Sequence, residues 1–196
     1  MGKIVVIGGN GQLGVDLVRQ LRELTGAPRG PEVRSTAMEV VSLTHGDLEI
    51  CDHRATREML QNLGPEVVIN TAAFHRVDDC EENLDKAFVV NTAAVGNLAL
   101  LCREMEAVLV HLSTDYVFGG EKGRATPYLE KDHPWPMNVY GASKLAGEHL
   151  VRSLCPKHFV VRTCGLYGVA GSSGKGGNFI ETMLKLGREE IGRAHV

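Results

Sequence analysis

Tyr140 and Lys144 stand four residues apart in Tyr140-Gly-Ala-Ser-Lys144. On a helix, positions i and i+4 share a face, so a phenol and an ammonium there can point into one cleft. A free tyrosine has a pKa of roughly 10. A neighbouring ammonium stabilises the phenolate and is expected to bring Tyr140 toward neutrality, the range that suits a proton donor to a carbonyl. The same spacing occurs on ordinary solvated helix faces, so the pair gains meaning only from what surrounds it.

The N-terminus supplies a second chemical feature. Lys3-Ile-Val-Val-Ile7 reads as a buried parallel strand and runs into Gly8-Gly-Asn-Gly-Gln-Leu-Gly14. Val15, Leu17, Val18, Leu21 and Leu24 then recur at helical spacing. Strand, glycine loop and helix in that order suit a dinucleotide: a tight turn, a backbone bare enough to approach a pyrophosphate, and free N–H groups at the helix start. A plain glycine turn lacks both flanking elements.

The elements that must position these residues alternate along the chain. Strands are expected at 39–43, 65–70, 107–112 and 158–163, and helices at 54–63, 78–105, 139–154 and 178–189. The long helix at 78–105 is expected to break near Val90-Asn91. Residues 26–31 and 119–138 read as loops. Such alternation predicts an α/β fold, a Rossmann-like doubly wound parallel sheet with helices on both faces. Ligands of such sheets bind beyond the carboxyl ends of the strands. Gly8–Gly14, Thr71–Ala73, Ser113–Thr114 and Gly165 all follow strand ends and are expected on one rim.

Composition agrees with a cytoplasmic enzyme. The 196 residues are 43% hydrophobic, enough for a full core, and the net charge of -3 gives no reason to expect nucleic acid or an anionic membrane. Five scattered cysteines without C-x-x-C suit reduced thiols, not a disulfide framework or zinc site. The first strand starts at residue 3, which is read as leaving no room for a signal peptide, and no apolar run is expected to span a bilayer. His45, His53, His75, His111 and His133 show no metal spacing and read as structural or solvated. Asp78, Asp79, Glu81 and Glu82 read as a negative helix start.

Together, the glycine loop, Asn70-Thr-Ala-Ala73, Ser113-Thr-Asp-Tyr-Val-Phe118, Tyr140-x-x-x-Lys144 and Arg162-Thr-Cys-Gly-Leu-Tyr-Gly168 resemble an extended short-chain dehydrogenase/reductase. Gly-Gln-Leu-Gly, Ser-Thr-Asp-Tyr-Val-Phe and Val-Tyr-Gly-x-Ser-Lys-x-x-Gly-Glu are most similar to dTDP-4-dehydrorhamnose reductases. The resemblance implies NAD(P)H-dependent reduction of the C4 ketone of dTDP-4-dehydro-L-rhamnose. It implies that Tyr140 donates the proton, that Lys144 holds the nicotinamide ribose and lowers the Tyr140 pKa, and that Thr114 binds the substrate oxygen. Gly8, Gly11, Gln12, Leu13, Gly14 and the turn Thr71, Ala72, Ala73 would carry the adenine and pyrophosphate, with Tyr140 and Lys144 also meeting the cofactor. A homodimer is compatible with the resemblance. Asp16 sits where some of these reductases place a glutamate linked to magnesium, and no metal is expected here.

Three positions depart from the family pattern. The second strand ends in Leu43-Thr44-His45 without the carboxylate of an NAD-selective site, which favours NADPH with NADH tolerated; His45 or Arg34 could attract the 2′-phosphate. Gly165 stands where many relatives carry Trp, and Phe74-His75 replaces Tyr-Thr. A nucleotide-sugar epimerase or dehydratase shares the scaffold, as does a non-catalytic regulatory subunit resembling that of methionine adenosyltransferase. The expected organisation is a cofactor domain over 1–170 and the start of a substrate part over 171–189. Residues 190–196 read as a tail foreign to the gene, because Ile191–Val196 back-translates to a sequencing adapter. Family members run on for roughly another hundred residues, the scale of a small domain. The substrate domain is therefore expected to be largely missing, and the isolated chain to bind nucleotide weakly and turn over poorly.

Overall fold

The computed structural model describes residues 2–26, 38–168, 170 and 179–190. Among these, β1 (Gly2–Ile7), β2 (Met38–Leu43), β3 (Val67–Asn70), β4 (Val108–Thr114) and β5 (His158–Thr163) form one parallel sheet in the order β2-β1-β3-β4-β5. The helices are α1 (Gln12–Gly26), α2 (His53–Leu63), α3 (Val77–Glu82), α4 (Leu84–Phe88), α5 (Ala94–Glu104), α6 (Val139–Leu154) and α7 (Phe179–Glu190). The chain leaves β1 for β2 on one side, then crosses back over β1 to β3. Right-handed crossovers in opposite directions place their helices on opposite faces.

Residue alternation in β1 shows both faces. Val5 and Ile7 join the larger core with Leu60 of α2, Val95 and Leu98 of α5 and Val151 of α6. Ile4 and Val6 join Val18, Leu17 and Leu21 of α1 on the other face. Each fully buried side chain of this size contributes about 1.5–3 kcal/mol of hydrophobic stabilisation. The doubly wound parallel sheet expected from the sequence is the fold observed.

Local boundaries differ where tertiary contacts override the pattern. α1 begins at Gln12, so Gln12, Leu13 and Gly14 form its first turn. β4 extends through Thr114 because β5 continues the ladder to Thr163. β3 starts only at Val67. The segment expected as a helix over 78–105 with a break near Val90-Asn91 is divided earlier, at Asn83, and at the expected break passes through a π-helical turn, Val89–Ala93, before α5. In that turn the buried Asn91 accepts from Phe74 N at 2.9 Å and donates to Phe74 O at 2.9 Å and Ser143 Oγ at 3.0 Å. Gly147 lets α6 lie against it: a Cβ there would stand 2.3 Å from Asn91 O.

The expectation that no apolar run could span a bilayer is corrected. The helical stretch Leu84–Glu104 is long and apolar enough by length and composition. Its Val95, Leu98, Ala99 and Leu101 are buried in the core between the sheet and neighbouring helices, where a soluble core helix meets the same test. Most of the loop expected at 26–31, Arg34, and the tail from Ile191 lie outside the described residues.

Candidate active site

A cleft of about 920 Å³ lies beyond the carboxyl ends of the strands. Gly8, Gly11, Gln12, Leu13 and Gly14 line it after β1, and Thr71, Ala72 and Ala73 after β3. Thr114, Tyr140 and Lys144 line its other end. The structure therefore brings the expected catalytic residues and the expected cofactor-binding residues to one cavity.

The glycine loop is held by backbone and needs its glycines. Gly8 has φ +81°, a conformation that side chains rarely adopt. A Cβ on Gly14 would meet Gly8 O at 2.2 Å and Gly9 Cα at 2.8 Å. α1 can start this close to the strand only because position 14 is bare. The hydroxyl of Thr71 donates to Ile7 O at 2.8 Å and ties the end of β3 to the loop. A bare loop leading into a helix start that lines the cleft fits a pyrophosphate. Among the described residues no group of three or more His, Cys, Asp or Glu side chains is placed to hold a metal, and Asp16 pairs with Arg19 at 3.0 Å.

α6 delivers Tyr140 and Lys144. Asn138 caps it, its Oδ1 accepting from Gly141 N at 2.7 Å, and Glu81 of α3 accepts from Val139 N at 2.8 Å. Gly141 allows the first turn to approach the end of β4, where a Cβ would stand 2.2 Å from Tyr116 O. Thr114 donates to Asp115 Oδ1 at 3.1 Å and accepts from Tyr116 N at 3.2 Å, closing the turn that follows β4. Tyr116 meets the Tyr140 ring edge-on with centroids 5.7 Å apart.

The ionisation of the pair differs from the sequence expectation. Burial pushes the Tyr140 phenol up to about 12, against a hydrogen bond with Thr114 that favours the phenolate. Lys144 Nζ donates to Leu112 O of β4 at 2.6 Å, and burial dominates the balance at Tyr140. Burial pulls Lys144 itself down to about 8, opposed by the charge of Glu148. Tyr140 is therefore held as a neutral phenol, not brought toward neutrality.

Two polar groups lie beneath the pair: His111, read from the sequence as structural or solvated, and Glu148, the last residue of the motif that begins at Val139, neither of them expected at the site. His111, fully buried on β4, lies 3.4 Å from Lys144 Nζ through Nε2 and 3.4 Å from Asn70 Nδ2 through Nδ1. Burial, then the Lys144 charge, holds its pKa well below the ordinary histidine range. Glu148, one turn after Lys144 and also fully buried, receives Arg162 Nε at 2.9 Å, Arg162 Nη2 at 2.6 Å and Ser113 Oγ at 2.6 Å. The i+4 spacing of Glu148 from Lys144 was the available signal. His111 had only its place two residues before Ser113 in a strand.

A family model described as RmlD substrate binding domain matches residues 2–192. The chain is 41% identical over 186 residues to the spore coat polysaccharide biosynthesis protein SpsK of Bacillus subtilis, covering 95% of this chain and 59% of that protein. It is 39% identical to a dTDP-4-dehydrorhamnose reductase of Mycolicibacterium smegmatis, covering 94% of this chain and 50% of the relative. Among solved structures, a dTDP-4-dehydrorhamnose reductase of Bacillus anthracis in complex with NADP superposes with a TM-score of 0.79 at 35% identity, over 96% of this chain and 61% of that one. The chain thus spans between half and about three fifths of the length of these relatives. With the family model matched over nearly its whole length, the chain belongs to the RmlD substrate binding domain family.

Proposed function

We propose that this chain is the cofactor-binding and proton-donating part of an NADPH-dependent reductase acting on the C4 ketone of dTDP-4-dehydro-L-rhamnose. The observation that carries the reading is the meeting of the glycine loop with Thr114, Tyr140 and Lys144 in one cleft at the strand ends. NADPH, when bound along that cleft, supplies the hydride. Gly8, Gly11, Gln12, Leu13 and Gly14 would hold its pyrophosphate side, with Thr71, Ala72 and Ala73 beside them.

The chain's own residues handle the proton. Tyr140, kept as a phenol by burial, has its proton in place to give to the carbonyl oxygen as that oxygen becomes an alkoxide. Thr114, which lines the same end of the cleft as Tyr140, fixes the position of the same oxygen. Lys144, anchored on Leu112 O, presents its remaining donors to the cleft and the ribose. NADPH is preferred over NADH because the end of β2 offers no carboxylate to the ribose. Just past that end, Asp47 Oδ2 accepts from Thr44 N at 2.8 Å and Thr44 Oγ1 at 2.7 Å. His45 lines the cleft there with its ring exposed. Such an enzyme would work in the cytosol, where the five free cysteines stay reduced.

The test is NADPH consumption with dTDP-4-dehydro-L-rhamnose by this chain joined to the C-terminal part of the Bacillus subtilis relative. The expected result is stoichiometric formation of dTDP-L-rhamnose. NADPH binding without consumption of this sugar would replace the reading with another nucleotide sugar or a regulatory role.

A further inference from the structure

The direction of the hydrogen bonds beneath Lys144 is set from one end. Ala72 N is a backbone donor that cannot reverse, and it bonds Asn70 Oδ1 at 3.1 Å. This turns Asn70 Nδ2 toward His111 Nδ1. An amide N–H only donates, so Nδ1 must accept, and the single proton of the neutral imidazole sits on Nε2. Nε2 in turn faces Lys144 Nζ. An ammonium has no lone pair to receive that N–H. An amine has one, and still keeps an N–H for Leu112 O and another for the cleft. Asn70 and His111 are 0% exposed and Lys144 2%, so a mismatched donor here has no water to turn to.

We infer that Asn70 and His111 are positioning residues that direct a ring N–H at Lys144 Nζ and bias the lysine toward its amine. The burial that depresses Lys144 acts in the same direction. Glu148 on α6 and His111 on β4 face Lys144, Arg162 of β5 reaches it through Glu148, and Cys80 of α3, Asp115 and Tyr116 bear on Tyr140, one turn before Lys144. Glu148 alone is a strong opposing influence, and Arg162 and Ser113 already engage its oxygens.

The consequence for catalysis rests on the proposed reductase reading. As Tyr140 gives its proton to the substrate oxygen, a negative charge appears on the phenol. One proton then enters through the cleft to Lys144 and passes on to Tyr140, restoring the phenol and the amine, so that each turnover takes one proton from solvent. The lysine so placed compensates charge during the cycle, in addition to holding the ribose.

The proton placement can be read without turnover. In the full chain labelled with 15N-histidine, long-range proton–nitrogen correlation reports the ring tautomer, and the His111 signal is the one lost in His111→Phe. The expected result is a neutral His111 protonated on Nε2 across neutral pH. In 15N-lysine protein, with Lys144 identified by its loss in Lys144→Met, the Lys144 midpoint should rise by about one unit in Asn70→Leu, a tenfold change in its ionisation equilibrium. That substitution frees His111 to present Nε2 as an acceptor. A ring protonated on Nδ1, a charged imidazolium, or a Lys144 midpoint unmoved by Asn70→Leu would overturn the inference. The tautomer in the unsubstituted protein decides the matter even if a variant fails to fold. Failure of the reductase reading shows separately, as absent turnover with the expected tautomer intact.

Discussion

Replacing Arg162 with methionine should strip a buried carboxylate of its main partner. Glu148 is 0% exposed and receives two Arg162 donors, at 2.9 and 2.6 Å. Without them it keeps Ser113 Oγ and the more distant, half-exposed Arg152 at 3.3 Å. Breaking one partner out of a buried ion pair costs about 3–5 kcal/mol. Methionine retains part of the contact that the guanidinium makes over the Phe118 ring at 4.9 Å, so loss of packing adds little. Against a domain stability of about 5–15 kcal/mol, the change is large. Urea unfolding followed by far-ultraviolet circular dichroism should show the midpoint falling with an unchanged slope. The double variant Arg162→Met with Glu148→Leu should recover most of the loss, because apolar groups of similar volume replace a buried pair at little cost. A single variant costing less than about 1 kcal/mol, or a double variant no better than the single, would refute the reasoning.

Other outcomes follow from the same geometry. Gly14→Ala places a Cβ 2.2 Å from Gly8 O and 2.8 Å from Gly9 Cα, both backbone. The loop must move, and at a cost of about 1–3 kcal/mol the NADPH dissociation constant should rise roughly 5- to 150-fold by fluorescence titration. Lys144, at about 8 in the fold, titrates near ~10.4 in an unfolded chain. Between those values the unfolded state binds more protons, so the contribution of Lys144 to stability rises with pH. Lys144→Met should therefore gain on the wild type most below pH 8 and lose roughly 3 kcal/mol of that advantage by pH ~10.4. A gap between the two proteins that is constant with pH would count against a depressed Lys144.

Much of the positioning was legible because it is local. α6 follows the helical period of its sequence, and Asn138 is a residue type that caps helices, so its span of Val139–Leu154 matches the expectation. The glycine loop was legible as strand, glycines and helix in order. Its flaw lay at the boundary, where Gln12 to Gly14 already belong to α1. The break expected near Val90-Asn91 falls at the π turn, where Asn91 bonds Phe74 and Ser143, residues remote in sequence. The division at Asn83 was harder to read, because the period of the segment runs on through it. The Tyr140 expectation failed for a related reason. Spacing says that Lys144 shares a face with Tyr140, but not that Leu112 O on β4 would hold its Nζ or that burial would dominate both groups. His111 and Arg162 acquire their partners only when β4, β5 and α6 come together.

The central claim is that Tyr140 is the proton donor of an NADPH-dependent reduction. The most direct measurement compares Tyr140→Phe with the unsubstituted protein, each joined to the C-terminal part of the Bacillus subtilis relative, in NADPH oxidation with dTDP-4-dehydro-L-rhamnose and in NADPH binding. Loss of a positioned general acid predicts a fall in kcat of about 10²–10⁴-fold with NADPH affinity little changed. Turnover by Tyr140→Phe within a few-fold of the unsubstituted protein would contradict the account.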